Sequence, residues 1–121
     1  MSVIRLSRPN LTKIVYVDDA VHPWRGRMWC HMFSQDLDAL HAFACRLGLG
    51  REWFKEPPAE SWSHYAVTYS VRNQAIELGA VMTDHFKALE VSLRQRGAWT
   101  AQNKLWIDTA RARAEARAAA R

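Results

Sequence analysis

Apolar positions recur every second residue in some stretches of the chain and every three to four in others. Lys13–Val17 (KIVYV) is a short run of strand formers, and Asp18-Asp19 stop it. From Arg27 to Ser34 the pattern alternates. It places Met28, Cys30 and Met32 on one face of a second strand and Trp29, His31 and Phe33 on the other. "HPWRG" between the two runs reads as a turn or loop. From about Asp36 to Leu47 the period lengthens, and Leu37, Leu40, His41, Ala44 and Leu47 fall on one helical stripe. Ser34 is the expected N-cap, with Asp36 and Asp38 in the first turn. Gly48 is expected to end the helix in the left-handed conformation, with Leu49 folding back on it.

Further along, "REWF" predicts a short strand or ordered loop, and "KEPPAESWS" predicts a loop. His64–Tyr69 alternates as a strand. Ser70 is the expected cap of a helix to Leu78 that Gly79 closes. "AVM" predicts a short strand, and Thr83 a cap for a helix to about Arg96, which Gly97 breaks. Thr100 opens a last helix through the Ala/Arg tract, and no internal repeat is present. This alternation predicts an α/β fold in two or three layers: a single compact domain whose small mixed sheet of about four strands is packed by three helices, plus a C-terminal basic helix. The expected divisions are an N-terminal extension at 1–12, the α/β domain at 13–97 and the Ala/Arg-rich helix at 98–121.

Length confirms one domain, because 121 residues bury one core but not two. The net charge of +5 suggests a polyanion partner until it is located. Residues 1–93 carry ten basic and ten acidic side chains. Residues 94–121 carry seven basic ones against Asp108 and Glu115, so the excess belongs to the tail. Its Ala/Arg composition favours a solvated helix with weak nucleic-acid contact as a secondary use, and Leu105, Trp106 and Ile107 are expected to dock its start. Cys30 and Cys45 lack metal-type spacing and read as reduced thiols. No apolar run of about eighteen residues and no signal-peptide pattern occurs, so a cytoplasmic protein without membrane association is expected. Six Trp are many for this length, and they are candidates for a ligand surface or a homo-oligomer interface.

Asp18 and Asp19 follow the C-terminal end of a buried strand, where open α/β sheets place ligands. Neighbouring strand residues face opposite sides, so one of the two is expected to look into a pocket. There it would bind a divalent metal ion or a ribose hydroxyl, or act as a base. Arg25 and Arg27 flank Gly26 and suit a phosphate; a salt bridge to Asp18 or Asp19 closing the hairpin is the competing role. His41 lies on an apolar stripe and should point inward, as a hydrogen-bonded core histidine or a proton carrier. His31 and His64 sit at the ends of neighbouring elements and could converge with it, although no spacing is diagnostic of a metal. Arg72, in a helix's first turn, calls for an anion beside it. Cys30 and His31 point to opposite faces of a strand, which excludes a Cys–His nucleophile.

Taken in order, "VYVDD", "RGRMWCHM", "LDALHAFACRLGLGREWF" and "HYAVTYSVRNQAIELGAV" resemble the small bacterial and phage proteins of the domain of unknown function 4031 family, over about Lys13 to Arg94. The resemblance implies no activity. It singles out Tyr16, Asp18, Asp19, Gly26, Arg27, His31, His41, Arg46, Trp53, His64, Tyr65 and Arg72. Where the family pattern reads His-Tyr-Asp, this chain has His64-Tyr65-Ala66.

The expected function is therefore binding of a phosphorylated small molecule such as a nucleotide, with a divalent metal and phosphoester hydrolysis as its stronger form. Asp18, His41 and His64 are the catalytic candidates. Asp19, Arg27, His31, Trp53, Tyr65 and Arg72 are the ligand-binding ones, Trp53 or Tyr65 stacking on a base. The alternative is a non-enzymatic accessory protein that makes protein or nucleic-acid contacts through its basic C-terminal helix.

Overall fold

The computed structural model describes residues 11–19 and 22–120. The expected N-terminal extension lies outside them, except for Leu11 and Thr12, which enter a 3-10 turn at Leu11–Lys13. The elements that follow are β1 (Val15–Val17), β2 (His22–Trp24), β3 (Arg27–Ser34), α1 (Leu37–Arg46), β4 (Phe54–Lys55), β5 (His64–Thr68), α2 (Tyr69–Glu77), β6 (Val81–Met82), α3 (His85–Gln95) and α4 (Ala101–Ala119).

One mixed sheet in the order β4-β5-β3-β1-β6 unites them, with β2 also paired to β3. β1 runs parallel to β6 and antiparallel to β3, while β5 runs antiparallel to β3 and to β4. The sheet is therefore α/β and mixed as expected, but it has six strands rather than about four. β4 comes from "REWF". β2 comes from "HPWRG", where Arg25 and Gly26 take φ of 48° and 74°. Two successive positive φ values make a two-residue primed hairpin turn, whose twist matches the strands it joins.

β1 and β2 lie along the same edge of β3. Val17 pairs with Met32 and His22 with Trp29, so five steps on one side match three on the other. Past Val17 the regular pairing stops, although Asp18 still donates its N–H to the His31 carbonyl at 3.1 Å.

Alternation then assigns the faces. Val15, Val17, Cys30, Met32, Tyr65 and Val67 point to one side, where Leu40, Phe43 and Ala44 of α1 and Ala75 of α2 close the main core. On the other side Ala88 and Val91 of α3 cover Phe33, with Tyr16 and Trp62 packed around them. The result is three layers. α3 covers only part of its face, and the rest stays open.

The helix caps differ from expectation by one or two residues. Ser34 is the last residue of β3 and gives its hydroxyl to the Thr12 carbonyl, so Asp36 caps α1 by accepting from the Ala39 N–H. Thr68 caps α2 in place of Ser70, and Asp84 caps α3 in place of Thr83, whose N–H is engaged by the Val17 carbonyl. Gly48 is left-handed and the Leu49 N–H returns to the Ala44 carbonyl, as expected of that helix end. Thr100 and Asn103 form a capping box on α4. Of the three residues expected to dock α4, only Ile107 is buried; Leu105 and Trp106 are more than 60% exposed. An ion pair of Arg111 with Asp84, N–O 3.2 Å, adds a second attachment to α3.

Leu40→Ala should lower stability by about 2–5 kcal/mol in urea denaturation, and Leu105→Ala should change it by no more than about 0.5 kcal/mol.

Candidate functional site

Just past the end of β1, Asp18 turns its carboxylate back toward β3. One oxygen accepts the His31 backbone N–H at 2.8 Å and the other meets His31 Nδ1 at 2.8 Å. A carboxylate only accepts from a neutral imidazole, so in its neutral form His31 carries its proton on Nδ1 and presents Nε2. Asp18 is 1% exposed, whereas the His31 side chain is 25% exposed. Behind Asp18, Arg72 is buried and donates from Nε to the Asp18 carbonyl at 2.8 Å. The Asp18 backbone and side chain are thus both fixed, and the His31 ring with them.

His64 reaches the same place from β5. Its ring centroid is 4.9 Å from that of His31, edge to face, and His22 approaches His31 from β2 at 5.6 Å. His64 Nδ1 lies 3.2 Å from the Trp62 carbonyl, which can only accept, so Nε2 is again the free nitrogen. Burial, reinforced by His31 alongside, pulls the His64 pKa down to about 4. His64 is therefore a neutral acceptor at physiological pH.

Aromatic walls enclose this cluster. A groove of about 420 Å³ is lined by His22, His31, His64, Trp29, Trp53 and Trp62, with Lys55, Glu60 and Ala66 among its other boundaries. We call it the histidine groove. A second groove of about 400 Å³, the hairpin groove, is bounded by Trp24, Arg25, Arg27, Trp29, Trp53 and Thr68. Both volumes suit a small ligand.

Of the residues singled out from sequence, Asp18, His31, His64 and Trp53 meet here, with Arg27 on the adjoining groove. His41 does not. It is half-buried, and the helix that carries it, α1, covers the opposite face of the sheet. There His41 Nδ1 is 2.8 Å from the Tyr65 hydroxyl and Arg51 Nη1 is about 3 Å from both ring nitrogens. Burial and then Arg51 lower the His41 pKa. Tyr65 is buried in the main core, which leaves no face for a base to stack on. Arg72 is also enclosed, and its Nε donates to the Asp18 carbonyl. Asp19 is exposed, so only Asp18 of the pair looks inward. Neither Arg25 nor Arg27 forms an ion pair with these acids among the described residues. Cys30 faces the core, where burial and then Asp18 push its thiol up to about 12.

As for a divalent ion, each Asp18 oxygen already accepts one hydrogen bond from His31. Among the described residues no three His, Cys, Asp or Glu side chains are grouped to hold a metal. Lys55 and His22 are not singled out by the sequence, and among the six Trp it does not distinguish Trp24, Trp29 and Trp62. The alternation of β3 was the available signal, since Trp29 shares a face with His31.

A family model described as Protein of unknown function (DUF4031) matches residues 15–96, and the chain belongs to that family. No curated protein and no solved structure matches the chain. The departure at Ala66 falls inside the site: Ala66 pairs with His31 across the sheet and lines both grooves. Among the described residues, no helix is long and apolar enough to cross a membrane.

Because the folded chain resists protonating His64 while the unfolded chain does so near its ordinary 6.5, the unfolded state binds the extra proton between pH 6.5 and 4. Stability is therefore fully present above pH 6.5 and declines as pH falls toward 4, by about 2–3 kcal/mol from this group. His64→Gln should remove most of that decline when urea denaturation at pH 7 is compared with pH 4.5; an undiminished decline would exclude His64 as its source.

Proposed function

We propose that this member of the DUF4031 family binds a phosphorylated small molecule bearing a flat ring, a nucleotide being the simplest, in the histidine groove. The observation that carries the reading is the Asp18–His31 pair, a buried carboxylate fixing an imidazole whose free nitrogen belongs to a tryptophan-walled groove. Trp53 and Trp62 offer faces for a ring, each stack contributing about 1–3 kcal/mol. Lys55 supplies a cation for phosphate, and His64 Nε2 accepts a hydrogen bond from a ligand N–H or hydroxyl. With a phosphoester bound, His31 Nε2 would take the proton of an attacking water, the general-base half of a hydrolysis. Arg72 acts through the Asp18 backbone as a positioning residue. A buried Cys30 and an exposed free Cys45 suit a reducing compartment such as the cytoplasm.

A second reading, contact with a macromolecule through α4, has one observation in its favour: Ile107 is the only buried residue of that 19-residue helix. Truncation from Ala112 onward spares the Arg111–Asp84 pair. It should abolish such a contact while leaving the groove intact.

Titration with AMP at millimolar concentrations should give a saturable quench of tryptophan fluorescence. Trp53→Ala should weaken it about tenfold or more, consistent with the loss of one stack. No saturable change with AMP, or an unaltered response in Trp53→Ala, would count against the reading.

A further inference from the structure

We infer that the occupant of this surface is a segment of single-stranded nucleic acid spanning both grooves, rather than a lone nucleotide. The inference rests on the nucleotide reading above and extends it. Trp24, Trp29, Trp53 and Ala66 line both grooves, so the two adjoin along one shared aromatic wall. Aromatic rings follow one another along it. Trp24 and Trp29 are 5.7 Å apart, Trp29 and Trp53 are 5.3 Å apart, and Trp62 stacks on His64 at 4.5 Å at the far end. A mononucleotide beside His31 leaves the hairpin half empty.

That half is built for a polyanion. Its charged residues are Arg25 and Arg27, and no acidic side chain lines it. Neither arginine is in an ion pair among the described residues. The Arg25 guanidinium lies 4.6 Å over the Trp24 ring, which holds it at the rim. Lys55 provides positive charge in the histidine half, against Glu60. Accessible aromatic rings, here Trp24, Trp53 and Trp62, flanked by basic side chains are how proteins take hold of single strands with little sequence preference. The same charge pattern makes a polyanionic strand a better fit than a neutral peptide.

The test compares thymidine monophosphate, the trinucleotide (dT)3 and an abasic deoxyribose-phosphate trimer on the full chain, read by tryptophan fluorescence. We expect (dT)3 to bind at least about tenfold tighter than the monophosphate, and the abasic trimer to fall well short of (dT)3, because each stacked base contributes. The double variant Arg25→Asn, Arg27→Gln should lose most of the gain with length. Asn tolerates the left-handed turn position, so the hairpin is kept, and a thermal melt confirms it. Equal affinity for monophosphate and (dT)3, with both binding, overturns the extended occupant alone. So does an abasic trimer that matches (dT)3, or a double variant that retains the whole gain. Failure of both thymidine probes to bind overturns the extension and the nucleotide reading together.

Discussion

The carboxylate of Asp18 is withdrawn from water where β1 leaves the sheet, and most of the site follows from how it is satisfied. A buried carboxylate costs several kcal/mol unless its lone pairs are met. Here they are met by the backbone and side chain of one residue, His31, while Arg72 grips the Asp18 carbonyl from the other side. The arrangement ends the pairing of β1 with β3. It also fixes the imidazole of His31. One local solution to a desolvation problem therefore shapes the sheet edge and orients the group that faces the groove.

The two faces of the sheet divide the work. Under α1 and α2 the strands contribute aliphatic and aromatic side chains to a closed core, where the Cys30 thiol is inert and Tyr65 is used up in packing and in its contact with His41. On the other face α3 stops short, and the uncovered strands present tryptophan and histidine instead. The open half is thus not a defect of packing. Its histidines, Trp24 and Trp29 stand on strands fixed by cross-strand pairing, and rigid aromatic surfaces lose little conformational entropy when a ring stacks on them.

Much of this was legible in the residues themselves. β1 and β3 follow from their β-branched and alternating runs, and the glycines after α1, α2 and α3 mark where those helices end. β2 was not legible, because His-Pro-Trp carries no strand pattern and pairs only by virtue of the Arg25-Gly26 turn. Periodicity turned His41 inward but could not say which face of the sheet its helix covers, and that choice separates it from His31 and His64. The adjacency of Asp18 and Asp19 implied that their side chains diverge, and Asp18 is the buried one. The partners it would find depend on register, which no local pattern encodes.

Whether His31 is a fixed imidazole facing an occupied groove is read most directly by ¹⁵N NMR of the histidine side chains, at a pH where they are neutral, with and without AMP. The expected spectrum shows His31 protonated on Nδ1, with AMP shifting its Nε2 resonance and leaving His41 unmoved. A His31 protonated on Nε2, or an AMP response at His41 with none at His31, would contradict the Asp18-anchored site.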